Sequence, residues 1–399
     1  MAEPKARGSS TGYWTRCLRA LQGRRSPAMR IMVINWQDRE NPQAGGAEIH
    51  LHEIFGGLTG RGHEVRAVVG GWPGCSPRAT LDGIEVTRVG SRYTFPLHVR
   101  AAVRHEIERH PVDVVIEDIN KIPLYTPTWV EQSVIGLVPH LFGATAFAEA
   151  PWPLAAGVWA SERRIARAYR TTPFEAISED TALDLERRGI DRRRVRVIHP
   201  GIDHTLYVPS PARAPRPTLL YVGRLKRYKG IDVLIRATAI LVARGCRVHL
   251  DIAGQGDDRR RLEQETRKLG LENTVTFCGW IPEAEKIRRL QQAWVAAYPS
   301  PKEGWGLVNI EAAACGTPVV ASDSPGLRES VRHGRSGFLV AHGDATAWAN
   351  ALEPLLRDPE YATRVRAGAI EYAARFSWDR AVRATESHLH EVLGVTGGS

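Results

Sequence analysis

Two doubly wound α/β units in one chain are the fold this sequence predicts, on three observations. Hydrophobic β-type runs alternate with amphipathic helical stretches from end to end. The 399 residues exceed what one ordinary core serves. A proline-rich stretch divides the chain near its middle. Such alternation implies parallel sheets covered by helices on both faces.

In the first unit, strands are expected at residues 30–35, 64–69, 113–117, 134–138 and 194–198. Helical patterns fall between them, notably at 47–59, 98–110 and 154–170. Residues 208–217 hold Pro209, Pro211, Pro215 and Pro217, which bar a helix or a central strand and mark a linker. Beyond it the alternation resumes, with strands expected at 218–222, 247–253, 275–278 and 317–321. Helices are expected at 231–243, 259–269 and 345–357. Open sheets of this kind bind ligands outside the carboxyl ends of their strands, so two facing units would hold a ligand in the cleft between them.

Composition excludes several classes. With 43% hydrophobic and 25% charged residues the chain is ordinary for a globular protein, and no apolar run approaches a bilayer span. Residues 1–29 are basic and polar without a signal-peptide core, and read as a disordered extension with Met29 as an alternative start. The expected location is therefore cytoplasmic. The five cysteines, Cys17, Cys75, Cys246, Cys278 and Cys315, are dispersed and fit neither a metal site nor a disulfide framework. The net charge of +10 is spread along the chain, mostly as arginine, without a nucleic-acid motif. It suits anionic ligands or an anionic membrane surface as a long-range field. Residues 154–170 carry Arg163, Arg164, Arg167 and Arg170, with Trp152 and Trp159 nearby. They form either a solvated helix face or a peripheral membrane contact of the first unit.

Three segments carry candidate chemistry. The loop after residues 30–35 holds Gly45, Gly46, Ala47 and Glu48 and opens a helix, where bare amides can meet a phosphate. An ordinary strand–helix turn would look the same. Strand 218–222 ends in Gly223 and Arg224, with Lys229 and Gly230 at the next helix start. Two cations there suit a diphosphate, Arg as a bidentate fork and Lys as a point charge. In the third segment, Glu303, Gly304, Trp305, Gly306 and Leu307 lead to Glu311, eight residues beyond Glu303. On a continuous helix this spacing spans about 12 Å, comparable to a sugar diphosphate plus ribose. Glu311 lies in an apolar run, where an unpaired carboxylate is costly.

Together these segments resemble the family 4 glycosyltransferases, over nearly the whole chain after residue 29. Glu303 and Glu311 match that family's paired glutamates. Gly223, Arg224, Lys229 and Gly230 match its phosphate-binding pair, and the segment from Gly45 to Glu48 matches its N-terminal glycine loop. Ser178-Glu179, the run from Ile198 to Asp203, Glu329, His333-Gly334, the run from Gly337 to Val340, and Phe376-Ser377-Trp378 also fit. Trp305 stands where Phe is common, and Pro325-Gly326 replaces a Gly-Gly pair, departures that bear on which donor sugar fits.

The resemblance implies a GT-B fold of two Rossmann-like domains: 30–207 plus 376–395 for the acceptor, and 218–375 for the nucleotide-sugar donor, with 208–217 as linker. It implies a retaining hexosyltransferase-type enzyme that moves a sugar from a nucleotide-diphosphate-sugar co-substrate to a hydroxyl of a glycolipid, polysaccharide precursor or natural product. Arg224, Lys229 and the loop amides would stabilise the leaving diphosphate. Glu303 would hold the donor sugar, Glu311 the ribose, and Trp280 and Ile281 would line the base. His140 lies where the family often has a histidine against the donor sugar, although a lone histidine is as readily structural. Glu117, Asp118 and Asn120 end strand 113–117, as acceptor contacts or simply as its close. No D-x-D motif occurs, so catalysis is expected without metal or other cofactor. The alternatives are a phosphorylase of the same fold and a non-catalytic nucleotide-sugar-binding protein. A dehydrogenase fingerprint fails at Gly254-Gln255-Gly256, where Arg259 replaces the third glycine.

Overall fold

The computed structural model describes residues 27–143 and 152–394. The expected extension thus falls, up to residue 26, outside the described residues.

The first sheet has eight strands in the order β3-β4-β2-β1-β5-β6-β7-β8. They are β1 (Arg30–Asn35), β2 (Glu64–Gly70), β3 (Arg78–Leu81), β4 (Ile84–Val89), β5 (Val114–Asp118), β6 (Ser133–Val138), β7 (Phe174–Ala176) and β8 (Val195–Val197). All neighbours pair in parallel except β3 and β4. That hairpin was not expected. Its turn is Asp82-Gly83 with φ of 53° and 81°, the left-handed pair a two-residue hairpin turn requires.

The second sheet has six parallel strands in the order β11-β10-β9-β12-β13-β14. They are β9 (Thr218–Val222), β10 (His249–Ala253), β11 (Val275–Gly279), β12 (Val295–Tyr298), β13 (Val319–Ser322) and β14 (Gly337–Val340). The winding of the parallel strands reverses between β1 and β5 in the first sheet and between β9 and β12 in the second. The crevices at such switch points are where open α/β sheets bind ligands.

Helices cover both sheets. Residues expected as one helix at 154–170 form two, Trp152–Glu162 and Ile165–Ala168. The break lets Glu162 turn inward, where its carboxylate accepts the Phe142 and Gly143 amides at 2.7 and 2.8 Å. It also lets Ile165 and Tyr169 bury fully. Helix Trp378–Val392 packs on helix Gly46–Gly60 of the first unit. It adds Trp378, Ala381, Val382 and Leu389 to the core of β1, β2 and β5. Residues 208–217 hold no helix or strand and are strapped to the second unit. The Trp294 indole donates to Ala214 O at 3.0 Å, and the Gln291 amide to Val208 O at 3.0 Å.

Candidate active site

The two switch points place four loop starts together in the chain's architecture: after β1, β5, β9 and β12. The loop after β9 carries Gly223, Arg224 and Lys229. It packs tightly on the loop after β10, because a Cβ on Gly254 would lie 1.8 Å from Gly223 O and one on Gly256 2.0 Å from Leu225 O. The Gly-Gln-Gly run therefore serves close backbone packing. Gly230, at φ 67°, caps helix Ile231–Ala243 and lies so near the β12 loop that a Cβ would sit 2.7 Å from Pro299 O. That approach brings Lys229 to the third segment, where its ammonium hydrogen-bonds and ion-pairs with Glu303.

Burial pushes the Glu303 carboxyl up, but the Lys229 charge and hydrogen bond, with help from Ser300, outweigh it and hold the group below the usual range. His140, just beyond the end of β6, falls to about 4, first through burial and then through Lys302, with Lys229 and Arg224 adding to the effect. Its imidazole is therefore neutral near pH 7. Arg224 is exposed. Lys302, a residue the sequence reading did not single out, donates to Leu141 O at 2.7 Å and so fixes the third segment to the His140 loop. Lys229, Glu303, His140 and Arg224 thus form one electrostatic neighbourhood drawn from both units.

Gly304 and Gly326 allow that junction. A Cβ on Gly304 would meet Pro139 O at 3.0 Å, and one on Gly326 would meet Glu303 O at 2.3 Å. The Pro325 carbonyl accepts the Glu303 amide at 3.2 Å. Gly306, at φ 80°, caps the helix Leu307–Ala314. The Trp305 ring is 1% exposed, stacked on His199 at 5.9 Å and edge-on to Phe376 at 4.9 Å. Its packing is internal, so the expectation that this ring tunes the donor sugar is corrected.

Because the helix starts only at Leu307, Glu311 lies about one turn into it, and the spacing of a continuous helix does not apply. Nor is Glu311 unpaired: Lys286 lies 3.0 Å from it and 2.9 Å from Glu283. The Tyr207 hydroxyl bonds to Glu283, and Lys286 sits 5.2 Å over its ring. Burial depresses the Lys286 ammonium, yet Glu311 and Glu283 raise it overall. Trp280 is 61% exposed and Ile281 half-buried, at the end of β11 just before the helix that carries Lys286. Glu283-x-x-Lys286 reads in sequence as a surface helix pair, so nothing there signalled Lys286.

In the first unit Gly45 caps helix Gly46–Gly60, and its amide donates to Glu48 at 2.7 Å. The amides open to an anion therefore begin at Gly46. Gly46 faces Leu307 across the units, with 3.5 Å left to a Cβ. Glu48 also accepts from Gln37 at 2.9 Å.

The three acceptor candidates separate. Glu117 is fully buried, and its oxygens accept the Leu124 amide at 2.6 Å, the Thr126 amide at 3.0 Å and the Tyr169 hydroxyl at 2.7 Å. It braces a turn, and the expectation of an acceptor contact is corrected for this residue. Asp118 is buried with both carboxyl oxygens unpartnered among the described residues, and burial and Glu48 push it well above the usual range. Asn120 donates to Asn35 at 2.8 Å while its own oxygen has no partner among the described residues. Beside them Lys121, which the sequence reading missed, is lowered to about 8 by burial.

Two Rossmann-like units with parallel sheets define the GT-B fold class. The chain belongs to the family 4 glycosyltransferases. The model "Glycosyltransferase Family 4" matches residues 44–206, and "Glycosyl transferases group 1" matches residues 208–372. A D-inositol 3-phosphate glycosyltransferase of Thermobispora bispora is 37% identical over 217 residues, 50% of each chain. One of Nocardia farcinica is 36% identical over 251 residues, 59% of this chain and 55% of that one. The chain spans about half the length of the curated relatives it matches. Sucrose-phosphate synthase from Thermosynechococcus elongatus shares the fold with a TM-score of 0.80 at 22% identity, covering 92% of this chain and 100% of its own. Anabaena HepE, solved with UDP and glucose, gives 0.73 at 21%, covering 91% and 100%. Among the described residues no helix is long and apolar enough to cross a membrane.

Proposed function

We propose that this protein transfers a sugar from a nucleoside-diphosphate sugar to an acceptor hydroxyl with retention at the anomeric carbon. The observation that carries the reading is the Lys229–Glu303 pair, with Arg224 and His140 in its field, at the junction of the two switch points. In the reaction the bond from anomeric carbon to phosphate oxygen breaks, and its electrons stay on the diphosphate. The acceptor oxygen forms the new bond from the same face, and its proton passes to the leaving diphosphate. Arg224, Lys229 and the amides from Gly46 onward stabilise the charge that grows there. No metal is needed in this scheme, because protein cations take that charge.

Glu303 orients the sugar hydroxyls, neutral His140 hydrogen-bonds the sugar, and Glu311, held by Lys286, accepts from the ribose hydroxyls. Trp280 and Ile281 flank the base. The unspent polar atoms of Asp118 and Asn120, beside the glycine loop, favour an acceptor contact. Anabaena HepE was solved with UDP and glucose, so uridine donors are the first to test. The name of the curated relatives favours a phosphorylated inositol as the first acceptor.

The experiment is calorimetric titration of UDP, GDP, ADP and dTDP into metal-free protein. One of them should bind in the micromolar range, and Lys229→Ala should weaken it about tenfold or more while the fold is retained. Full affinity in Lys229→Ala would remove the diphosphate role of this loop.

A further inference from the structure

Outside the junction of the two units, the first unit carries an open groove of about 740 Å³. It lies between helix Phe95–Arg109, the turn Thr126–Thr128 and residues 164–171. Arg100, Arg164, Arg167 and Arg170 line it, together with Tyr125 and Thr128. Among the described residues none of these four guanidiniums has a carboxylate partner, whereas nearby Arg188, Arg192 and Arg193 are each ion-paired. Arg100 rests over the Trp129 ring at 5.7 Å. The carboxylate closest in sequence, Glu162, is withheld from the groove, fully buried on the Phe142 and Gly143 amides and 3.1 Å from Arg188.

The walls are also fixed. Tyr125 sits in the left-handed region at φ 56°, its amide donating to the Tyr169 hydroxyl at 2.8 Å and its own hydroxyl to Ser161 O at 2.9 Å. Thr128 donates to Tyr125 O at 2.7 Å. Tyr169 beneath is fully buried and donates to Glu117 at 2.7 Å. A solvated face normally intersperses both signs of charge. Converging like charges in a concavity repel one another and focus a positive field outward. Arginine forks fit phosphate bidentately.

We propose that this groove is a second anion site, which binds a phosphate-ester group on a molecule distinct from the donor diphosphate. The group comes either from a soluble phosphorylated compound or from a phospholipid headgroup, and both present the same chemistry to the arginines.

The test uses the full chain carrying Lys229→Ala, so that anion binding at the donor loop is weakened. Inorganic pyrophosphate is the soluble probe. Phosphatidylcholine vesicles with and without phosphatidylglycerol are the lipid probe. In the soluble case pyrophosphate binds, and the double variant Arg164→Gln/Arg167→Gln binds it about tenfold more weakly or worse. In the lipid case co-sedimentation requires phosphatidylglycerol, declines as salt screens the charges, and is lost in the same variant. Circular dichroism checks the fold, and Arg100→Gln serves as an independent variant should the double one misfold. Absence of binding to both probes, or binding indifferent to these arginines, overturns the proposal.

Discussion

At the residue scale, the Lys229–Glu303 pair decides how the site meets a ligand. Lys229 is neutralised by Glu303, so a diphosphate must compete for the ammonium. Glu303→Gln is therefore expected to bind nucleoside diphosphate at least as well as the wild type while turnover falls roughly 100-fold. Titration calorimetry and a donor-consumption assay separate the two effects; a parallel loss of both would make Glu303 a binding residue only. A second residue-scale consequence concerns buried histidine. His50 is 1% exposed with both ring nitrogens unpartnered among the described residues, and burial lowers it from 6.5 to about 4, partly offset by Glu175. Between those values the unfolded chain binds the proton and the folded chain does not, so stability falls as pH drops from 6.5 toward 4. His140 acts in the same direction. Urea midpoints measured across that interval should decline in the wild type and decline less in His50→Leu.

At the element scale, two loops are set by backbone approach that only glycine permits. Gly230→Ala would place a Cβ 2.7 Å from Pro299 O at a positive φ. The left-handed conformation alone costs about 1–2 kcal/mol, and relief of the contact would move Lys229 away from Glu303. Urea denaturation should show that loss, and nucleoside-diphosphate affinity should fall with it. Legibility also divides by element. Strands Arg30–Asn35 and Thr218–Val222 and helices Ile231–Ala243 and Ala345–Arg357 occur where the apolar periodicity predicts them. Missed strands such as Phe174–Ala176 and Val295–Tyr298 are three or four residues long, too short for a period to register. The β3–β4 hairpin was legible in Asp82-Gly83 and was overlooked. Residues 154–170 failed as one helix because burial of Glu162 and Tyr169 overrides local helical pattern.

At the scale of the whole molecule, the units are joined by contacts between residues far apart in sequence. Glu329 of the second unit accepts the amides of Glu179 and Asp180 at 2.8 and 2.9 Å, at the start of helix Glu179–Arg187. Burial raises the Glu329 carboxyl, and these two amides partly offset that rise. The Asp180 carboxylate returns the contact by accepting the Gly326 amide at 2.8 Å. The closing helix is tied to the first unit by Glu386, which takes His63 at 2.9 Å and Arg61 at 2.7 Å. His63, Glu386 and His390 lie close enough to suggest a metal site. Yet His63 Nδ1 accepts the Met29 amide at 3.0 Å, so its other nitrogen carries the proton that Glu386 receives. With Arg61 alongside, the cluster reads as a structural clasp. Glu386→Ala leaves that buried N–H unpaired and should cost about 1–3 kcal/mol. Chemical denaturation measures it, and a variant of unchanged stability would show the clasp to be idle.

The sequence by itself determined the alternating α/β class and put Glu303, Lys229, Arg224 and the glycine loops forward as candidates, because period, turn chemistry and charged residues at strand ends are local signals. Only the tertiary structure decided what each group faces. It paired Lys229 with Glu303 and Glu311 with Lys286, turned Glu117 and Trp305 inward, and left Asp118 without a hydrogen-bond partner among the described residues. It also gathered four arginines into one groove. The physical reason is that burial and ion pairing depend on strand order and on contact between units, which bring residues tens to hundreds of positions apart within bonding distance.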